Sequence, residues 1–182
     1  MLTIVTLFGH SRGNLERLVR ELRHMVEDWV VVLDKGMEPV ELAHCFKWES
    51  TEGFDAGAMR RFAMEKVHTQ WVMHLDSDEW YSPLQLHTII NTMKTCPKDV
   101  DCIKLPRRNV EPTGDWIGWP DNRPMIHRNA TYISWRGRVE EWPTGIKCAQ
   151  EINDVSAAIL HLHLDSAARD VMAKSRAEAE SC

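Results

Sequence analysis

Two aspartates, Asp76 and Asp78, stand one serine apart at the end of the apolar run Trp71-Val-Met-His-Leu75 and directly before Glu79-Trp80. A short apolar run bounded by polar residues reads as a strand buried on both faces, as in the middle of a parallel sheet. In an extended strand, residues i and i+2 point to the same side, so the two carboxylates would converge at the strand's carboxyl end. That is where open α/β sheets place their ligands. Hard oxygen ligands of this kind suit Mg²⁺ or Mn²⁺, which keep coordination positions for water and phosphate oxygens. The competing account is an ordinary turn, because Asp-x-Asp is a short pattern that occurs widely in loops. The elements around the pair decide between the two.

Leu2-Thr-Ile-Val-Thr-Leu-Phe8 is rich in β-branched residues and reads as a first buried strand. Gly9-His-Ser-Arg-Gly13 makes a turn, Asn14 is the expected helix N-cap, and Leu15, Leu18, Val19, Leu22, Met25 and Val26 mark one face of an amphipathic helix. Trp29-Val-Val-Val-Leu33 is a second strand ending at Asp34, with Lys35-Gly36 turning the chain. Strand, helix, strand with short connections is the βαβ unit, so the two strands run parallel. A third short strand is expected at Cys45–Trp48. A helix carrying Met59, Phe62, Ala63 and Val67 then delivers the chain to the Asp76 strand. Asp34 and Asp76 therefore finish parallel strands on one rim. The expected class is α/β, a Rossmann-like, mostly parallel central sheet flanked by helices.

Ser82-Pro83 opens a further helix through Leu84, Ile89, Ile90 and Met93, and Cys102–Pro106 is a strand candidate. From Arg107 to Gly145 the chain carries four of its eight tryptophans and many prolines, which predicts loops with short strands near Met125–His127 and Tyr132–Trp135. Ala157–His163 is a last strand, and the Ala-rich charged tail from 166 to 182 predicts a helix. At 182 residues, 43% hydrophobic and 27% charged, the chain is read as one domain with a sizeable core. A net charge of −5 argues against a broad nucleic-acid footprint. Five cysteines without C-x-x-C spacing fit reduced thiols. With no apolar run long enough to span a membrane and no signal-peptide pattern, the expectation is a cytoplasmic protein.

With these segments placed, the sequence resembles the family-two glycosyltransferases of the GT-A fold, and more narrowly the bacterial branch that extends lipopolysaccharide cores. The resemblance is carried by Gly57-Ala-Met-Arg-Arg-Phe-Ala63, Thr69-Gln-Trp71 and Leu75-Asp-Ser-Asp-Glu-Trp80. It continues through Arg108-Asn109, Gly118-Trp-Pro-Asp-Asn122, Trp135-Arg-Gly-Arg-Val-Glu-Glu141 and Ile159-Leu-His161. It covers most of the chain, from Leu2 to about Ser166.

That resemblance implies a single transferase domain over 1–182, with a nucleotide-sugar and metal-binding half (1–100), an acceptor-side half (101–165) and a C-terminal helix (166–182). It implies a nucleotide-diphosphate sugar donor, UDP-linked, and a glycan or other hydroxyl acceptor, joined in an inverting reaction. Asp76, Asp78 and His161 would hold Mn²⁺ or Mg²⁺ against the diphosphate, which as a Lewis acid offsets the leaving group's charge. Phe8, Asp34, Arg60 and Asp76 would contact the donor, and Trp80 and Trp119 the acceptor. Trp116, Trp135 and Trp142 stand in the same acceptor-side segment, where indole faces stack on sugars, although tryptophan is also a large core residue. Glu141 is the candidate general base, with Asp121 its rival. The chain departs from the family where Lys35-Gly36-Met37 replaces a longer acidic turn, where Glu140 stands in place of His, and where Arg61 stands in place of Asn. Two alternatives remain: a nucleotidyltransferase, whose Gly-rich phosphate loop is only faintly matched by Gly9–Gly13, and a nucleotide-sugar-binding module without catalysis.

Overall fold

The first strand explains the first half of the molecule. All of β1 (Leu2–Phe8) is buried, because it is paired on both edges and covered on both faces. It runs parallel to β2 (Asp28–Leu33) and β4 (Trp71–His74), and β3 (His44–Lys47) adds in parallel beyond β2. The structure is a computed structural model that describes residues 1–8, 12–49, 55–110, 116–138, 141–152 and 157–162; the side chains of 12–13, 110, 116–120, 159–160 and 162 lie outside that description.

Strand alternation sorts the core into two layers. Leu2, Ile4, Phe8, Trp29, Val31 and Leu33 face a layer with Leu15, Leu18, Val19 and Leu22 of α1 (Arg12–Leu22) and Leu86, Ile89 and Met93 of α3 (Pro83–Thr95). Val5, Leu7, Val30, Val32 and Val72 face Ala56, Met59 and Ala63 of α2 (Ala56–Met64). Each buried leucine of α1 contributes about 2 kcal/mol, several times any difference in helix propensity. Burial of the predicted face is what makes α1 a helix. α3 starts on the expected Ser82-Pro83, with a full capping box in which Ser82 and Gln85 exchange side-chain and backbone bonds. Asn14 does not cap α1, which begins at Arg12; its amide instead donates to the carbonyls of Ser77 and Glu79, at 2.7 and 3.3 Å.

The second half differs from its expectation. The expected strand at Cys102–Pro106 is present, but in place of loops with short strands residues 107–110 and 116–128 extend it into a long antiparallel ribbon, β6 (Cys102–Val110) with β7 (Trp116–Arg128). Pro106, Pro120 and Pro124 hid it, since proline inside a strand removes a ladder donor. The register shifts between Ile103 and Leu105 and between Arg107 and Asn109, and such irregularities accommodate residues a regular ladder would reject. β7 inserts antiparallel beside β4, and β11 (Ile159–Leu162) lies parallel to β6 and antiparallel to β5 (Glu79–Trp80). The order is β3-β2-β1-β4-β7-β6-β11-β5, with β10 (Ala149–Glu151) also on β6. The sheet is mostly parallel, as expected. A small hairpin of β8 (Ser134–Arg136) and β9 (Trp142–Thr144) stands apart and packs on α2. The expected C-terminal helix lies outside the described residues.

Candidate active site

β4 ends at His74, and the chain turns at Ser77-Asp78 before β5. The assumption of a strand extended through Asp78 therefore fails, and the two aspartates diverge. Glu79 folds back so that its Oε2 accepts from the Asp76 backbone N–H at 2.9 Å, while its own N–H donates to the Asp76 carbonyl at 3.0 Å. Asn14 grips the same turn from α1. Glu79 is fully buried, and burial followed by the charge of Asp76 pushes its carboxyl well above the usual range.

Asp76 meets Arg60, whose Nη2 donates to Oδ1 at 2.7 Å. Arg60 is 3% exposed and its Nε also donates to Glu141 Oε1 at 2.7 Å. Burial alone would lower the guanidinium pKa, but the two carboxylates outweigh it and raise it. Arg60 lies on α2 and Glu141 at the entry to β9, and a local contact brings them together. The first-turn N–H groups of α2 have no partner within the helix; those of Ala56 and Gly57 donate to the carbonyls of Arg138 and Gly137, at 2.8 and 3.1 Å. A Cβ on Gly57 would collide with the Gly137 carbonyl oxygen, so glycine is what lets the hairpin seat here. Arg61 adds a bond from Nη1 to the Trp135 carbonyl at 2.6 Å.

Asp78 meets His161, with Nε2 and Oδ2 3.4 Å apart. Burial pushes the Asp78 carboxyl up, but the hydrogen bond and charge of His161 outweigh it and hold it below its ordinary value. His161 Nδ1 lies 2.9 Å from Asn109 Oδ1, so that nitrogen carries the proton. Nε2 reaches Asp78 as a donor only when both ring nitrogens are protonated; with Nδ1 alone protonated, Nε2 and the carboxylate are two acceptors facing one point, which a divalent cation between them would satisfy. A ring nitrogen held by a second partner is the usual arrangement for a metal-binding histidine. Among the described residues no third His, Cys, Asp or Glu joins the pair, so Asp76 is not a third ligand in this arrangement.

Asp121 is held by three side chains. Arg107 donates to its Oδ2 at 2.8 and 3.1 Å, Arg123 reaches both oxygens, and Asn109 stands at 3.5 Å. Burial alone would raise its pKa, but the arginines hold it below the carboxylate range. A carboxylate clamped on both oxygens is poorly placed to take a proton.

The remaining expected contacts divide. Phe8 is 1% exposed and sits in the core, so its side chain offers no surface to a donor; its carbonyl accepts from the Asp34 N–H at 3.0 Å. Asp34 caps its own turn, accepting from Lys35 N–H at 2.7 Å, with Gly36 at a φ of +83°. It shares the rim of β1 and β4. Trp80 is half-buried beneath the Arg17 guanidinium. The side chains of Trp116 and Trp119 lie outside the described residues. Trp135 is no platform: it is buried, edge-on to His74 at 4.3 Å and 4.9 Å from the Arg60 guanidinium. Trp142 is exposed, with Arg123 over its ring. Reasoning from sequence missed His74 and His127, which contact each other behind Arg60. A histidine inside each apolar strand was the only signal.

The fold has counterparts. Residues 41–148, more than half of the chain, match the family described as glycosyl transferase family 2. No curated protein matches. Among solved structures, S. aureus TarS 1–349 in complex with UDP-GlcNAc is similar with a TM-score of 0.65 at 12% identity, over 91% of this chain and 59% of that one. The UDP complex of the same fragment gives 0.64 at 13%, over 94% and 63%. Glucosyl-3-phosphoglycerate synthase from Mycobacterium tuberculosis, crystallised with Mn²⁺, UDP and glucosyl-3-phosphoglycerate, gives 0.50 at 13%, over 59% and 44%. The chain thus spans less than two thirds of these neighbours' own length. At such identities the likeness concerns the fold, which is GT-A, and the family match does not single out the lipopolysaccharide-core branch. The acidic turn after β4, the arginine helix before it and the β6–β7 ribbon all lie within the matched segment, and the chain belongs to glycosyl transferase family 2.

Proposed function

We propose that this domain transfers a sugar from a nucleotide diphosphate to an acceptor hydroxyl by a single inverting displacement. The observation that carries the reading is Arg60, which joins Asp76 at the donor-side strand end to Glu141 on the acceptor-side hairpin. The similar structures hold UDP-GlcNAc or UDP, and in one case UDP with Mn²⁺.

Glu141 is the base we assign. Among the described residues Arg60 is its only partner, on one oxygen, and its side chain is 14% exposed. As the acceptor oxygen attacks the anomeric carbon, Glu141 takes the hydroxyl proton while the bond from that carbon to the diphosphate oxygen breaks. The electron pair leaves on the diphosphate. Asp78 and His161 would hold Mn²⁺ or Mg²⁺, with water and diphosphate oxygens completing its shell; the ion supplies charge neutralisation at the leaving group. Asp76 and Asp34, on the shared rim, would face the ribose and base. Among the described residues Trp142 is the exposed indole on the acceptor side, with Trp80 and Trp119 the other acceptor candidates. No described helix is long and apolar enough to cross a membrane.

The test is a thermal-shift panel of nucleoside diphosphates and nucleotide sugars with and without Mn²⁺, since a ligand of the native state raises its apparent stability. A Mn²⁺-dependent shift with a uridine nucleotide is expected, and no shift with any nucleotide would sink the reading. Binding with neither transfer nor donor hydrolysis would leave a nucleotide-sugar-binding module.

A further inference from the structure

Arg60 is held from behind as well as engaged in front. Its Nη1 lies 3.1 Å from His74 Nδ1, His74 Nε2 lies 2.9 Å from His127 Nε2, and His127 Nδ1 lies 2.8 Å from the Arg128 carbonyl oxygen. A guanidinium carries only donors and a carbonyl only accepts, so the two ends of this chain impose one direction on everything between them. His74 Nδ1 accepts, which puts its proton on Nε2. That proton is donated to His127 Nε2, which puts the His127 proton on Nδ1, facing the carbonyl. Any other assignment sets two donors or two acceptors face to face where the rings are 1% and 0% exposed, leaving a buried hydrogen bond unmade. Burial first, and the Arg60 charge as well, disfavour the imidazolium form of both rings, that of His127 down to a pKa of about 4. The two ring planes lie within 24° of parallel with centroids 5.0 Å apart, and Trp135 closes the side against His74.

We propose that His74 and His127 are positioning residues: a one-way hydrogen-bonded strut, rooted in the backbone of β7, that sets the guanidinium plane of Arg60. With Nη1 committed to His74, the Nε and Nη2 edge is turned to Glu141 and Asp76. The strut stands on geometry alone; only its effect on turnover rests on the transferase reading given above.

Long-range ¹H–¹⁵N spectra of histidine-labelled protein at pH 7 should show His74 protonated on Nε2 and His127 on Nδ1. An imidazolium at either position, or His127 protonated on Nε2, overturns the proposal. The variant His127→Leu removes the acceptor, whereas His127→Gln keeps one near the Nε2 position. In His127→Leu the Arg60 Nε–H signal should lose its protection from exchange. Turnover of UDP-GlcNAc or UDP-glucose with Mn²⁺ should fall about 10- to 100-fold, as for a small misplacement of a reacting group, with the donor KM within about 3-fold. His127→Gln should recover most of both. A His127→Leu protein with Arg60 still protected and turnover intact also overturns it. If that variant does not fold, the tautomers of the wild-type protein decide. If the tautomers and the Arg60 signal behave as expected but the wild-type protein binds neither donor, the strut stands and the transferase reading fails.

Discussion

At the scale of single residues, the proposed reaction gives two carboxylate roles to Asp78 and Glu141, and substitutions separate them. Asp78→Asn removes a charged oxygen facing His161 and should weaken Mn²⁺-dependent UDP binding by about tenfold or more, or 1.4 kcal/mol, read by calorimetry with and without the metal. Equal UDP affinity at saturating Mn²⁺ would place the metal elsewhere. Glu141→Gln keeps an oxygen for Arg60 but cannot take a proton. Transfer should fall about 10²- to 10⁴-fold while donor affinity changes little; a variant with near-normal kcat would pass the base role to another group. The arginine and the aspartates were legible because the chain places them at strand and helix ends in a recognisable order. Their partners were not. Which aspartate turns to Arg60 and which to His161 depends on one turn at Ser77-Asp78, and an i, i+2 rule that assumes an extended strand cannot see it.

Elements show the same split between local and distant information. α1, α2, α3 and the first four strands were legible because apolar periodicity and the Ser82-Pro83 helix start are local signals that burial reinforces. Of the β6–β7 ribbon only Cys102–Pro106 and Met125–His127 were legible as strands, because its prolines read as breakers and its pairing is set by partners far along the chain. The seating of the β8–β9 hairpin was equally invisible, since it rests on orphan N–H groups of α2 meeting the carbonyls of residues 137 and 138. Gly57→Ala tests that seat. The new Cβ meets backbone, which has little room to give, so a loss of about 1–3 kcal/mol is expected by chemical denaturation. Because Glu141 rides on the hairpin, transfer should suffer more than donor binding. Unchanged stability and turnover would show that the hairpin can shift without cost.

For the whole molecule, the buried histidines give stability a pH dependence with a definite sign. An unfolded histidine takes its proton near pH 6.5, whereas burial lowers His127 in the folded protein to about 4. Between those values the unfolded chain binds more protons, so stability is full above about pH 6.5 and is lost as the pH falls. His127 alone accounts for about 3 kcal/mol by pH 4, and His74, lowered in the same sense, adds to it. Asp78 and Asp121, held below the ordinary carboxylate range, keep their contributions until the pH falls further. Urea unfolding at pH 7, 6 and 5 should therefore show a steady decline, shallower by up to about one proton in His127→Gln. Glu79, whose carboxyl is raised in the folded protein, opposes this slope by favouring the folded state as the pH falls. The readout is therefore the difference between the two proteins, and a profile equally steep in His127→Gln would mean that these rings are not the neutral, buried pair described.

β7 sits between β4 and β6 in the sheet and also carries His127. This gives the order of synthesis a chemical meaning. Domains form as the chain emerges, amino-terminal portion first, so β1 to β4 and α2 are available before residue 116 has left the ribosome. Until β7 arrives, His74 has no acceptor for its Nε2 proton and Arg60 has no anchored neighbour. The nascent first half can present its acidic turn, but the guanidinium that joins Asp76 to Glu141 is set only when the second half closes on the first. On the proposed reading, competence for transfer is thereby tied to completion of the sheet, and a truncated translation product carries the acidic residues without the geometry to use them.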